Sequence, residues 1–203
     1  MERLLLSASS VDPITVVDYD SKWPIDFRAE ADRLLVATAG HLHRIEHIGS
    51  TSVPGLAAKP TIDLMAEATQ SEPSPKLIPL LAKLNYRHRP HEFTDRLLFS
   101  KGSENARTHN LHIVGAETLD QRNEILFRDR LRNDPELSSR YAALKRAIAI
   151  QDHPDLFSYS RAKTDFVIGV VNEERATRGY PPVNILAILG PIRRSAWIDA
   201  TDV

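Results

Sequence analysis

A glycine, three hydroxyl residues and one aspartate follow one another in an order that could bind a phosphate group together with a metal ion. The stretch RIEHIGSTSVPGLAAKPTIDLMAEA places Gly49 and Ser50 after one apolar segment and Asp63 within the next. Glycine lets a phosphate approach the backbone, while Ser50, Thr51, Ser52 and the free N–H groups of the turn can donate to its oxygens. Asp63 would then hold a divalent cation at those phosphates.

The same residues also have a plainer interpretation. Gly-Ser pairs are common in ordinary turns, and Asp63 could be a surface or capping residue. What favours phosphate binding is the predicted strand on either side of the turn, because two paired strands would fix the turn relative to the carboxylate.

Short strands and helices alternate in the first half of the chain. Apolar patterning predicts strands over residues 44–48 and 61–68 and helices over residues 23–39 and 77–84. The segments RLLFSK and LHIVGA flank a loop at 102–105 and predict a β-hairpin. Residues 69–76, rich in proline and serine, form a connecting loop.

The second half is predicted to be helical. Apolar residues three and four apart indicate helices over 119–131, 137–150 and 156–175, separated by NDPE and DHPD. Residues 179–203 contain three prolines and two glycines, so they form a tail or interaction arm after a domain at 1–178. The fold class expected is α+β: a small mixed β-sheet flanked by helices, with a helical C-terminal half.

Composition excludes several classes of protein. A chain of 203 residues with 42% hydrophobic and 26% charged residues fits one globular domain. The absence of cysteine excludes disulfides, thiolate metal sites and cysteine nucleophiles. A net charge of −1 disfavours nucleic acid as a partner. No apolar run is long enough for a signal peptide or a membrane span, so we expect a cytoplasmic protein without a membrane partner.

The string EHIGSTSVPGLAAKPTID, with YDSKWP before it and THNLHIV and ILFRDRLR after it, resembles the GrpB family, a branch of the polymerase-β-like nucleotidyltransferases. The resemblance extends from about Val16 to Val170. It implies a nucleotidyltransferase-like fold with a Gly-Ser turn after the first strand, an Asp-x-Asp or Asp-x-Glu pair on the next and a third carboxylate on a later strand. In that superfamily the acids bind Mg²⁺ and activate an acceptor for attack on the α-phosphate of a nucleotide.

The family pattern is matched only in part. Gly49 and Ser50 correspond to the turn and Asp63 to the first acid, but Met65 stands where the second acid is expected. Alternate residues of a strand share a face, so an acid at 65 would have joined Asp63 at the metal. A thioether is a poor ligand for a hard cation, which argues against the usual two-metal site.

Three further residues are candidates for completing a metal site. Glu46 precedes the turn, and the resemblance places His109 and His112 on a strand near Asp63. Together with Asp63, such a set could bind Mn²⁺, Zn²⁺ or Fe²⁺, while the cofactor expected overall is Mg²⁺ or Mn²⁺. His112 could instead serve with Asp63 in catalysis as a general base. Alternatively, both histidines simply pack in the sheet. Because they are three apart, a regular strand would send them to opposite faces.

Four basic residues are candidate phosphate ligands. Lys59 follows the GLAA turn, and Arg128, Lys145 and Lys163 stand where the family also tends to carry basic residues. They could bind a triphosphate tail. The alternative is a set of solvated cations in ion pairs on helix surfaces.

The resemblance leads to two functional hypotheses. In the first, the protein is a metal-dependent nucleotidyltransferase-like enzyme that binds an NTP and a divalent metal and transfers a nucleoside monophosphate to a small-molecule acceptor. In the second, it is a non-catalytic nucleotide- or phosphate-binding module linked to nucleotide or coenzyme A metabolism, since GrpB-like domains are found fused to a coenzyme A biosynthesis kinase. The apolar part of the C-terminal tail could also form a homo-oligomer.

Overall fold

The structure is a computed structural model that describes residues 15–90, 95–103, 106–150 and 162–183. The predictions for the DHPD break, for the start of the last helix at 156 and for most of the tail lie outside these residues. The described chain contains five α-helices: α1 (Trp23–Ala37), α2 (Leu77–Ala82), α3 (Asn123–Asn133), α4 (Pro135–Ala149) and α5 (Thr164–Thr177). It contains five strands: β1 (Leu42–Ile48), β2 (Ile62–Ala68), β3 (Arg87–His88), β4 (Arg96–Gly102) and β5 (Arg107–Val114).

The strands form one mixed sheet in the order β1-β2-β5-β4-β3. Only the central pair, β2 and β5, is parallel; the other three pairs are antiparallel. The β4–β5 pair is the hairpin that the sequence predicts. The predicted α+β class, with a small mixed sheet and helices, is therefore confirmed.

The two faces of the sheet have different partners. On one face, α1 and α2 pack on a core that includes Leu34, Leu64, Leu81, Phe99 and Leu111, all of which are fully buried. On the other face, apolar residues of β1, β2 and β5 pack with the start of α3, and α3 in turn packs on α4 and α5. Alternation along β2 and β5 thus sends even-numbered β2 residues towards α1 and odd-numbered ones towards α3.

One helix begins later than its pattern predicts. The helix predicted to start at residue 119 is split, because Leu119–Gln121 forms a short 3₁₀-helix and Arg122 is extended, with φ −70° and ψ 135°. The last helix, α5, begins at Thr164. Beyond its end, the backbone of Val183 is held by the Asn172 side chain through two hydrogen bonds of 2.8 and 3.1 Å. Within the described part of the chain, no helix is both long and apolar enough to cross a membrane.

A buried ion pair connects α1 to the hairpin. Glu30 is 4% exposed, and its Oε1 lies 2.8 Å from Nζ of Lys101 on β4. Burial by itself would raise the pKa of Glu30, but the hydrogen bond and charge of Lys101 lower it overall. The carboxylate is therefore ionised at neutral pH and depends on Lys101 for compensation.

We predict that Lys101→Met lowers the free energy of unfolding by about 3 kcal/mol, because it leaves the Glu30 carboxylate buried without its main cation. The double variant Glu30→Leu with Lys101→Met should recover most of that loss. Urea unfolding at pH 7 measures both. As a control, breaking the more exposed Glu174–Arg178 pair with Arg178→Met should cost less than about 1 kcal/mol. Additive losses in the double variant would contradict the prediction.

Candidate functional site

The turn after β1 lies directly against Asp63. Ile48, the last residue of β1, is opposite Asp63 in the antiparallel register, so the turn starts beside that carboxylate. Gly49 has φ +69° and is followed by the 3₁₀-helix Ser50–Ser52. A Cβ atom at position 49 would lie 2.3 Å from Oδ2 of Asp63. Glycine is thus required here for both its backbone conformation and its lack of a side chain.

Two of the three hydroxyls in the turn are used to hold it in place. The Ser52 hydroxyl donates to the Gly49 carbonyl at 2.6 Å, and the Thr51 hydroxyl donates to the Thr61 carbonyl at 3.1 Å. Because Thr51 Oγ1 has given its proton to Thr61, it accepts a hydrogen bond from Nε2 of His47 at 3.0 Å. Thr51 and Ser52 therefore have structural partners, whereas Ser50 lines a cavity with Gly49.

Burial keeps His47 neutral behind the turn. Its ring stacks on Phe27 with a centroid separation of 4.6 Å, and burial followed by the charges of Arg132 and Arg128 lowers its pKa to about 4. Arg132 donates two hydrogen bonds to the Ser52 carbonyl, at 2.8 and 3.0 Å. The turn is thus fixed from both sides.

Asp63 is a carboxylate in an environment that disfavours its charge. Burial raises its pKa to about 6, although the hydrogen bond from Asn110 and the charges of Lys163 and Lys59 act in the opposite direction. Asn110 Nδ2 donates to Oδ1 at 2.8 Å, which leaves Oδ2 on the side of Gly49. Burial also lowers the pKa of Lys163, to about 8, against the attraction of Asp63. Both groups therefore titrate close to neutral pH.

These residues line a cavity of about 310 Å³ between the sheet, α3, α4 and α5. The lining combines polar and apolar residues. The polar ones are Ser50, Asp63, His112, Asn123, Glu124 and Lys163, and the apolar ones are Ile48, Phe127, Tyr141 and Val167. Its volume is at the lower end of the range for small-molecule pockets.

His112 shares this cavity with a half-buried acid from another element. Glu124, in the first turn of α3, forms a 2.6 Å ion pair with Arg96. Burial opposes ionisation of Glu124, but the charges of Arg96 and of nearby His112 lower its pKa overall. The cavity therefore contains two carboxylates, from β2 and α3, with an imidazole from β5 close to the second.

The two other candidate metal ligands lie elsewhere. Glu46 shares the sheet face of Asp63, but its carboxylate is bound by Arg128 at 2.7 Å and Arg44 at 3.1 Å. His109 is on the opposite face, near Glu30 and Tyr86, as the odd spacing from His112 requires. Among the described residues, no three His, Asp or Glu side chains are grouped so that they could hold a metal ion.

Two candidate phosphate ligands are held inside the protein instead of lining this cavity. Arg128 is 6% exposed and donates to Glu46, Asp129 and the His47 carbonyl. Lys145 is 2% exposed; its ammonium group donates to the Ala57 carbonyl and lies 4.7 Å from the centre of the Tyr141 ring. Because both residues are buried, they are not the solvent-exposed helix cations of the alternative prediction either.

Lys163 lines the cavity, and Lys59 lies near its edge. Burial lowers the pKa of Lys59, as does the nearby charge of Arg107, whereas Asp63 raises it. Lys59 and Lys163 thus both act electrostatically on Asp63. Arg107 was not singled out in the sequence, because the pairing of β2 with β5 that brings it near Lys59 is non-local.

Met65 fills the position of the missing second acid with an apolar side chain. It is 0% exposed and packs with Ile48, Val114, Leu119 and Ile125. Three polar residues of the site are not predicted from the sequence: Asn123 and Glu124, which line the cavity, and Asn110, which donates to Asp63. The alternation of β5 could have identified Asn110, which is two residues before His112, but nothing local indicates that α3 approaches Asp63.

A larger groove of about 760 Å³ lies between residues 53–57 and α4. No carboxylate or imidazole lines it, and its two arginines are engaged, Arg132 by the Ser52 carbonyl and Arg146 by Asp18. The smaller cavity at Asp63, which is lined by two carboxylates, an imidazole and a lysine, is therefore the better candidate site.

We predict that Gly49→Ala destabilises the protein more than Gly55→Ala does. Both glycines have positive φ, +69° and +77°, but a Cβ atom at Gly55 would meet nothing within 4 Å. The control should cost about 1 kcal/mol from backbone strain alone, and Gly49→Ala at least about 2 kcal/mol more. Chemical denaturation measures both; equal losses would show that the contact with Asp63 is unimportant.

We predict that Asp63→Asn stabilises the protein above pH 6. The raised pKa means that stability from the protonated carboxyl is present below pH 4 and is lost as pH rises through about 6. The gain at pH 8 should approach about 3 kcal/mol, from about 1.4 kcal/mol per pKa unit, and should vanish at pH 4. Thermal unfolding between pH 4 and 8 tests it, and a gain independent of pH would contradict it.

Comparison with known proteins agrees with the resemblance seen in the sequence. The model for the family described as GrpB protein matches residues 13–173. A UPF0157 protein of Pseudomonas aeruginosa is 35% identical over 176 residues, covering 85% of this chain and 72% of that protein. The crystal structure of the conserved protein GrpB from Enterococcus faecalis has a TM-score of 0.73 and 29% identity, over 81% of this chain and 99% of that one.

A more distant likeness shows the wider fold. The Cid1 poly(U) polymerase, in its MgGTP-bound structure, has a TM-score of 0.50 and 16% identity, over 73% of this chain and 50% of the polymerase chain. The fold is thus nucleotidyltransferase-like. With the family model matching most of its length, the chain belongs to the GrpB family.

Proposed function

We propose that the cavity at Asp63 binds a nucleoside triphosphate together with one divalent cation, Mg²⁺ or Mn²⁺. The observation that carries the proposal is the contact between the Gly49–Ser50 turn and the Asp63 carboxylate, because it places the turn backbone, the Ser50 hydroxyl and the carboxylate at one cavity. The nucleotidyltransferase-like fold supports the same ligand class.

The charges around the cavity support a polyanionic ligand that brings its own cation. Asp63 faces Lys163 and Lys59, with Arg107 beside Lys59. A triphosphate would gain from these cations, and a divalent ion between it and Asp63 would remove the repulsion of the carboxylate. The ion would also offset the burial that now raises the pKa of Asp63.

The residues present fit one divalent ion and not two. Mg²⁺ is commonly held by one or two carboxylates plus substrate phosphates and water, which Asp63 Oδ2 can satisfy. A second ion would need the acid that Met65 replaces, and Asn110 offers an amide that already donates to Asp63. When bound, the single cation would neutralise phosphate charge at the turn.

The aromatic residues of the cavity would take the less polar part of the nucleotide. Phe127 and Tyr141 meet edge to face at 5.1 Å and line the same cavity as the turn. A cavity of about 310 Å³ encloses only part of a nucleoside triphosphate, so the rest would extend beyond it.

Transfer of a nucleoside monophosphate is the second candidate function, and the position of His112 in the same cavity favours it. An acceptor hydroxyl oxygen would attack the α-phosphorus, the bond from that phosphorus to the pyrophosphate oxygen would break, and His112 would take the hydroxyl proton. Glu124 would stabilise the resulting imidazolium. Binding without transfer is favoured by Met65, so the two functions need separate assays.

We predict that titration of the protein with Mg²⁺ and ATP or UTP gives saturable calorimetric binding. Asp63→Asn should weaken it at least tenfold, equivalent to about 1.4 kcal/mol, because an amide cannot neutralise the cation. The matched control is Asp120→Asn, since this exposed acid pairs with Arg44 and does not line the cavity. An absence of binding, or equal losses in both variants, would end the proposal.

Transfer is tested with ³²P-labelled NTPs and a panel of small-molecule acceptors. Labelled product that disappears in His112→Gln, while nucleotide affinity changes less than twofold, would support catalysis. Binding without product from any acceptor in the panel would favour the binding module.

A further inference from the structure

A second cavity, of about 370 Å³, lies behind the first and is rich in arginine. It is lined by Asp95, Arg96, Thr118, Gln121, Arg122, Asn123 and Arg175. It therefore brings three guanidinium groups and one carboxylate together from the start of β4, the loop before α3 and the last turn of α5. Arg96 and Arg122 have side chains only 11% and 15% exposed.

Two of the three guanidinium charges are balanced. Arg96 forms its shortest ion pair, 2.6 Å, with Glu124, and a second with Asp95 at 3.2 Å. Arg122 pairs with the other oxygen of Asp95. The pKa of Asp95 is lowered by these two arginines in spite of burial. Asp95 thus pairs with both Arg96 and Arg122.

The third guanidinium, of Arg175, meets only neutral groups within the described part of the chain. Its Nη1 donates to Asn123 Oδ1 at 3.1 Å, its Nε donates to the Pro181 carbonyl at 2.6 Å, and its Cζ lies 5.5 Å from the centre of the Tyr180 ring. The cavity therefore has a net positive charge.

Two further features favour an anion. Nε of Arg122 is buried and has no hydrogen-bond partner among the described residues, although a buried guanidinium N–H normally has one. In addition, α3 begins at Asn123, and no side chain caps it. The positive end of the helix dipole thus points to the same space as the arginines.

We infer that this cavity binds the carboxylate or phosphate group of a small molecule, with Arg175 and Arg122 as its main ligands. Guanidinium groups bind both anions through paired N–H donors, and the hydroxyl of Thr118 and the amide of Gln121 line the same space. Asp95 pairs with only two of the three arginines, so a ligand anion would balance the remaining positive charge.

The position of the cavity suggests what the ligand is. Asn123 lines both this cavity and the one at Asp63, and Glu124 lines the Asp63 cavity while pairing with Arg96. A molecule anchored here by its anionic group could extend past Asn123 towards His112. The anion would then be a group of the acceptor molecule. That role rests on the proposed function, whereas the inference that the cavity binds an anion does not.

The experiment titrates the full chain, without metal, with inorganic phosphate and separately with acetate at constant ionic strength. The signals followed are the arginine Nε–H resonances in ¹H–¹⁵N spectra, assigned with single variants. We expect saturable shifts at Arg122 and Arg175, and the anion with the lower dissociation constant identifies the chemistry. Arg175→Gln should weaken phosphate binding at least tenfold.

The matched control is Arg178→Gln. This arginine directly follows the end of α5, pairs with Glu174 and does not line the cavity, so its loss should change phosphate affinity less than twofold. Asp63→Asn should leave the phosphate-dependent shifts at Arg122 and Arg175 unchanged, which separates this site from the nucleotide site. No shift at Arg122 or Arg175, or equal weakening by Arg175→Gln and Arg178→Gln, overturns the inference; failure of MgATP binding alone overturns only the proposed function.

Discussion

The close approach of Gly49 to the Asp63 carboxylate is the constraint on which the candidate site depends. Because Ile48 pairs with Asp63, the chain must turn directly over the carboxylate, and only a residue without a side chain can do so. Burial raises the pKa of Asp63, while the hydrogen bond from Asn110 and the charges of Lys163 and Lys59 offset part of that effect. A carboxylate whose pKa is raised by burial beside specific charged groups in a cavity is typical of functional sites.

The rest of the turn is arranged to keep that contact in place. Thr51 connects His47 to the backbone of Thr61, and Thr61 in turn donates to the Arg107 carbonyl at 3.1 Å. These bonds join β1, the turn and the starts of β2 and β5. They also explain why only one hydroxyl of the Ser-Thr-Ser series lines the cavity, since a hydroxyl that anchors the turn has no proton left to donate to a ligand.

Much of the fold, and the centre of the site, could be read from local sequence. Alternation and turn residues located β1, β2 and the hairpin, and the motif located Gly49 and Asp63. The surroundings could not be read in this way, because they depend on contacts between distant residues. Glu46 meets Arg128 across 82 positions, and Lys145 meets Ala57 across 88. From local sequence, Arg128 and Lys145 resemble phosphate ligands, but in the fold each donates to an acceptor inside the protein.

The absence of an acid at position 65 changes the electrostatics of the whole site. Met65 extends the apolar cluster along the sheet, and the second carboxylate of the cavity, Glu124, comes from α3 already paired with Arg96. Only Asp63 therefore remains to attract a cation, and it does so against the charges of Lys163 and Lys59. A metal ion alone would meet net repulsion, whereas an ion that arrives on a polyphosphate would find each of its charges matched. Ligand and cation should consequently bind together, each weakly without the other.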